Sequence, residues 1–208
     1  YIYDHINWES GKLFLEKKNY THISTNREYS LNLQDVNFSK YTHLLTHVAE
    51  EGFRFMEPLK DGIHSETHYK KLEKLRWDYY KDMPYPEGII PTRPDYKRWK
   101  KEHQLFEKDE YGIELLILSP DGEYVGCTKL SKDGMEPDKC WTDNLGIDRN
   151  FRRKKLATAL KIEALKRLQN RGFRQIRTDN EENNPMYKIN IAVGFKPEPF
   201  SLEYMRKI

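Results

Sequence analysis

Between residues 111 and 147 the apolar positions come in short runs broken by turn residues. "YGIELLILSPDGEYVGCTKLSK" (111 to 132) holds two β-rich runs around Ser119-Pro120-Asp121-Gly122, which predicts a hairpin, and "DKCWTDNLGI" (138 to 147) predicts a third strand. The period then changes. From Arg153 to Arg171, Leu156, Leu160, Ala164 and Leu168 recur every four residues, Lys and Arg crowd the last turns and Gly172 follows, as in a helix with a stop signal. "FRQIRTDN" (173 to 180) predicts the next strand, so strand, helix and strand form a βαβ crossover with parallel pairing. "ENNPMYKINIAVGF" (182 to 195) predicts a short helix with Pro185 near its first position and Gly194 at its end, and "KPEPFSLEYMRKI" predicts an edge strand.

Upstream, residues 64 to 83 and 93 to 106 read as amphipathic helices separated by the Pro-rich loop "PYPEGIIPTRP", and "GFRFMEPL" (52 to 59) as the opening strand. The full order predicts a mixed α/β sheet. The first 33 residues stand apart from it. At a fixed offset of 175, Tyr3-Asp4 falls on Thr178-Asp179, Tyr20 on Phe195, and Glu28-Tyr29 on Glu203-Tyr204, which predicts a helix at 8–18 and a strand pair at 20–33 as the last third of an internal repeat. The expected division is a partial repeat with linker over 1–47 and the main domain over 48–208. A first residue of Tyr suggests a chain that begins inside a longer product.

Composition narrows the function classes. Charged residues make up 33% and hydrophobic ones 37%, yet aromatics reach 13%, which fits a packed soluble chain rather than a disordered one. A net charge of +3 from 36 basic and 33 acidic residues leaves no global field for a generic nucleic-acid or membrane binder. Cys127 and Cys140 form neither a disulfide framework nor a metal spacing, so a reducing, cytoplasmic setting is expected. The sequence has no run of about 18 apolar residues and no signal-peptide pattern, and no membrane role is expected.

Charge is concentrated locally. "RNFRRKKLATAL" (149 to 160) places five Lys or Arg within seven positions where a strand gives way to the crossover helix. A helix N-terminus exposes unpaired N–H groups and the positive end of the macrodipole, so cations there are repelled unless an anion shares the place. Phosphate or pyrophosphate is the leading candidate, because open α/β sheets hold ligands at such strand-to-helix loops.

At these residues the chain resembles a family. "LGIDRNFRRKKLATALKIEALKRLQNRGFRQIRTDNEENNPMYKINIAVGF" is similar to the acyl-CoA-binding half of the GNAT superfamily of N-acetyltransferases. The family pattern of Arg or Gln, two residues, Gly, one residue, then Gly or Ala falls here on Arg152, Arg153, Lys154, Lys155, Leu156 and Ala157. The resemblance implies a mixed, mostly antiparallel sheet flanked by helices, with a splayed central strand pair. It implies that the backbone of residues 153 to 158, through Thr158, holds the pyrophosphate of acetyl-CoA, with Arg152 beside it. It further implies that Leu145 and Ile147 offer backbone groups to the pantetheine arm, and that Asn184 contacts the cofactor. Some relatives are tandem proteins whose C-terminal copy is the active one. Two departures stand out. Lys155 replaces the usual Gly; a helical φ is expected there, at which Lys costs nothing and adds a cation near the phosphates. Asn190 stands where many members carry a Tyr that protonates the leaving thiolate, so this second catalytic position holds no Tyr acid.

Acetyl transfer to an amine needs a base, a polarised carbonyl and a proton for sulfur. Asp143, on the strand beside the expected thioester, is the candidate base, and the N–H near Ile147 the polarising group. Trp141, Glu57 and the Tyr79-Tyr80 pair are candidate pocket residues, but their reading as core or surface residues is favoured. His64 and His68 share an i, i+4 spacing, but without a third ligand nearby no metal site is expected. The expected activity is transfer of an acetyl group from acetyl-CoA to an amine of a small molecule or peptide. An acyl-CoA-binding sensor or inactive domain is one alternative, and a nucleic-acid binder using 149–155 is another that the balanced charge disfavours. Homo-oligomer formation is left open.

Overall fold

The structure is a computed structural model that describes residues 2–86, 88–181 and 183–206. In chain order the first elements are β1 (Ile2–His5), α1 (Glu9–Lys17), β2 (Thr21–Asn32), α2 (Thr42–Glu50), β3 (Arg54–Met56), α3 (Glu66–Tyr80) and α4 (Tyr96–Phe106). There follow β4 (Ile113–Leu118), β5 (Tyr124–Lys132), β6 (Lys139–Ile147), α5 (Leu156–Asn170), β7 (Gln175–Glu181), α6 (Met186–Val193), β8 (Lys196–Pro197) and β9 (Ser201–Met205). The fold is mixed α/β, with mostly antiparallel strands flanked by helices. The chain divides into two compact units: Tyr1–Leu31, Met83–Pro91 and Arg177–Ile208 form unit one, and Asn32–Asp82 with Thr92–Ile176 form unit two.

In unit two, β6, β5, β4 and β3 run antiparallel in that order, with Ile147 opposite Gly126, Leu115 opposite Thr128 and Phe55 opposite Ile117. β4 reads as an almost continuous apolar run because both faces are covered. On one side Leu72, Leu75 and Tyr79 of α3 pack with Leu116 and Cys127. α5 also packs on β4, β5 and β6, and its buried positions run nearly all round the helix, Lys161 among them. Ser65 caps α3 by accepting from the His68 N–H at 3.1 Å, and Asp95 caps α4 through the Arg98 N–H at 3.0 Å. Helix α2 is absent from the sequence prediction. Its nine residues bury only Val48, too little apolar stripe to show as a period.

In unit one, β9 lies between β1 and β2 and pairs antiparallel with both, with Asp4 opposite Leu202 and Thr25 opposite Leu202 across the other edge. β7 neighbours β2, and β8 adds a short pairing at Tyr29 and Ser30. Leu15 of α1 packs on Leu202 and Tyr204. The strand pair expected at 20–33 is instead one strand of 12 residues. A bulge between His22 and Ser24 absorbs the irregularity, and no turn interrupts the run.

Candidate functional site

The strand that leads into the basic loop is shaped by a close contact. Gly146 lies flat on the Tyr79 ring, where a Cβ would come within 2.2 Å of the ring carbons. The Tyr79 hydroxyl donates to the Asn144 Oδ1 at 3.0 Å and lies 3.4 Å from the Cys127 sulfur. Burial pushes this phenol well above its ordinary pKa of 10, so it keeps the proton that it donates to Asn144. Between Asn144 and Thr142 the ladder with β5 shifts register, and Asp143 is the extra residue of that bulge.

The basic run does not fill the first turn of α5, as the sequence suggested. The helix begins at Leu156, and residues 152 to 155 form the loop before it. Lys155 has φ 59° and ψ 11°, and Arg153 has φ 69°, so both are left-handed. The expectation of a helical φ at Lys155 is therefore overturned. Each such residue costs about 1 kcal/mol or more relative to Gly. The amides that follow are unpaired. The first bond of α5 runs from the Ala159 N–H to the Lys155 carbonyl at 3.1 Å, so the N–H groups of Leu156, Ala157 and Thr158 have no intrahelical acceptor, and no side chain caps them. Among the described residues the amides of Arg153, Lys154 and Lys155 donate to no turn or loop carbonyl either.

The five cations of the run are not equivalent. Arg149 and Arg152 both grip Asp82, Arg152 at 2.7 Å, and the Arg152 Nε donates to the Ile147 carbonyl at 3.1 Å. The hydrogen bond from Arg149, then that from Arg152, hold the Asp82 carboxyl below the usual carboxylate range against its partial burial. Arg152 thus braces the end of β6 to the residues after α3. The Lys154 ammonium stands 5.9 Å from the Phe53 ring centre and 5.7 Å from that of Phe151. Only the side chains of Arg153 and Lys155 are exposed with no described partner. Two free cations are a small footprint for a polyanion and enough for a diphosphate.

Asp143 is half-exposed, and both of its oxygens are engaged: Oδ1 accepts from the Ser131 hydroxyl at 2.6 Å, and Oδ2 lies 3.4 Å from the Lys129 ammonium. Leu145 and Ile147 sit on β6 opposite Thr128 and Gly126. Asn184 and Asn190 belong to unit one. The Asn184 Oδ1 accepts from the Met186 N–H at 3.0 Å and opens α6, whereas Asn190 is buried and donates from Nδ2 to the Asn180 Oδ1 at 2.7 Å. Trp141 donates to Asp133 at 2.9 Å, and Glu57 is buried in a fork of Arg167 and Arg171. His64 precedes the cap of α3, so it shares no helix face with His68. The sequence reading missed Asp82, whose role appears only once α3 brings it to the loop.

A family profile described as "Acetyltransferase (GNAT) family" matches residues 69–190. No curated protein gives a match. Among solved structures, a GCN5-related N-acetyltransferase from Sphaerobacter thermophilus is similar at a TM-score of 0.70 and 15% identity, covering 97% of this chain and 57% of its own. A tandem GNAT protein from the clavulanic acid biosynthesis pathway is similar at 0.66 and 17%, covering 93% and 57%. AAC(6')-Iy in complex with a bisubstrate analog, CoA-S-monomethyl-acetylneamine, is similar at 0.51 and 19%, covering 75% and 95%. The chain spans little more than half the length of the first two.

Proposed function

Because the chain belongs to the GNAT acetyltransferase family, we propose that it transfers an acetyl group from acetyl-CoA to an amine of a small molecule or peptide. The observation that carries this reading is the set of unpaired amides from Arg153 to Thr158 inside the segment that matches the family. In this reading the amides hold the pyrophosphate, the positive end of α5 adds to them, and the side chains of Arg153 and Lys155 supply the counter-charge. Lys154 stays on its aromatic rings, and Arg152 acts by holding the loop. Backbone groups of Leu145 and Ile147 take the amides of the pantetheine arm, and Asn184 lies near the cofactor as the resemblance implies.

The chemistry assigned to the chain is modest. The neutral amine forms a bond to the thioester carbon, the C–S bond then breaks, and the amine proton leaves as sulfur takes one up. An N–H near Ile147 polarises the carbonyl. Asp143 is the proposed base, reached through the donors that already occupy its oxygens. A carboxamide does not release a proton at neutral pH, so Asn190 contributes at most a hydrogen bond, and the thiolate is protonated from water. Under the same proposal residues 1–47 are the closing part of a GNAT-like repeat and 48–208 the acyl-CoA-binding domain. A tandem GNAT protein among the similar structures supports it.

The test has two stages. Acetyl-CoA should raise the melting temperature and give a calorimetric Kd that weakens with salt, while oligonucleotides should do neither. Release of free CoA thiol across a panel of amines then separates an enzyme from an acyl-CoA-binding domain without turnover. Failure of acetyl-CoA to bind at millimolar concentration overturns the reading.

A further inference from the structure

Unit two contains a second polar constellation, buried and unrelated to the basic loop. Among the described residues, one donor atom from each of His68, His103 and Glu107 lies within 4.8 Å of the other two. Glu114 lies beside His103 but outside that mutual cluster: its Oε2 is 3.3 Å from the His103 Nε2, and the Glu107 Oε1 is 3.5 Å from that same nitrogen. His68 of α3, His103 of α4 and Glu114 of β4 are 2%, 3% and 0% exposed. Five polar atoms there make no hydrogen bond: the Nε2 of His68, both ring nitrogens of His103, the Oε1 of Glu107 and the Oε2 of Glu114. A buried polar atom left unpaired carries its full desolvation cost, so five in one place call for an occupant or a shared proton.

The partners of the remaining atoms indicate what kind of occupant. The Tyr124 hydroxyl lies 2.9 Å from the Nδ1 of His68, Tyr69 donates to the Oε2 of Glu107 at 2.8 Å, and Arg76 clamps the Oε1 of Glu114. In each of these three residues one polar atom is held from outside and the other is left facing its neighbours. This is how outer partners orient the ligands of a metal. Metal bonds of about 2.0–2.1 Å at tetrahedral angles put ligand atoms about 3.3–3.4 Å apart, close to the two spacings around the His103 Nε2.

We propose that His68, His103 and Glu107 hold a divalent transition metal, zinc by ligand type, and that Glu114 moves in from beside His103 as the fourth ligand, tying α3 and α4 to β4. Two imidazoles and two carboxylates suit zinc better than calcium or magnesium, which prefer oxygen alone. With all four positions taken by protein the ion is structural. It does not depend on the acetyl-transfer reading.

The test uses the full chain. Purified without chelators, it should carry about one zinc by elemental mass spectrometry. A strong chelator should remove the ion and lower the melting temperature. Zinc returned at about a hundredfold over its Kd should restore about 5–10 °C. Cobalt in its place should give the intense visible bands of a tetrahedral ion. Glu107→Gln tests a ligand and Tyr124→Phe an outer partner. Each should weaken zinc by at least about tenfold, and the Tyr124→Phe protein stripped of metal should melt with the stripped parent. The proposal is overturned if the protein lacks stoichiometric metal and neither chelator, zinc nor cobalt moves its melting temperature. That outcome would leave a protonated His103 shared between two carboxylates.

Discussion

The basic loop and the His–Glu cluster are both polar sites of unit two, and they are built in opposite ways. The loop is contiguous, exposed and made chiefly of main-chain donors, with two of its cations held by the single carboxylate of Asp82. The cluster is drawn from two helices and a strand, is buried, and depends on side chains that cannot be satisfied singly. Charge in water can be rearranged at little energetic cost, whereas charge out of water ties the fold to its partners. The substitutions that follow ask how far that contrast holds.

The largest effect should come from stranding a buried charge. Arg76→Met leaves Glu114, which is fully buried, without its clamp. It should cost about 3–5 kcal/mol in denaturant unfolding. A loss below about 1 kcal/mol would break the comparison. Next is Lys161, which α5 buries and which burial lowers from 10.5 to about 7. The unfolded chain binds the extra proton between those values, so stability should rise with pH across the window. Lys161→Met should therefore stabilise by a few kcal/mol at pH 7 and below, with the gain closing towards pH 10.5. A pH-independent gain would refute the burial account. Unfolding at several pH values decides it.

On the exposed side, replacing Arg153 and Lys155 together by Ala should weaken acetyl-CoA by roughly tenfold, less at high salt, while changing stability by under about 1 kcal/mol. Calorimetry at two ionic strengths measures it. The smallest effect expected is Lys155→Gly, which relieves the left-handed strain and should raise stability by about 1 kcal/mol. If that variant is less stable, Lys155 makes a contact that its exposure does not suggest.

The same contrast explains what was legible in advance. The hairpin, α3, α4, α5 and the basic loop are local patterns, and turn chemistry, period and charge run announce them. Lys155 was misjudged because sequence gives a residue's identity and not its φ. Asp82 was invisible because its partners are about 70 residues away. The strand at 20–33 was divided by an offset argument that pairing with β9 overrules. The cluster around His68 was not foreseen, because the sequence reading weighed only the local His64 and His68 spacing. His103 and Glu107 supply ligands from another helix, and the one local hint was a carboxylate, Glu114, inside the apolar run "IELLIL".

The position of β9 between β1 and β2 sets an order of events during synthesis. Unit two has all its residues once Ile176 has left the ribosome, whereas unit one must hold β1 and β2 unsatisfied until Met205 emerges. During that interval β2 offers 12 residues of open edge to any passing chain. Nascent-chain handling is therefore a cost of joining strands so far apart in sequence in one sheet.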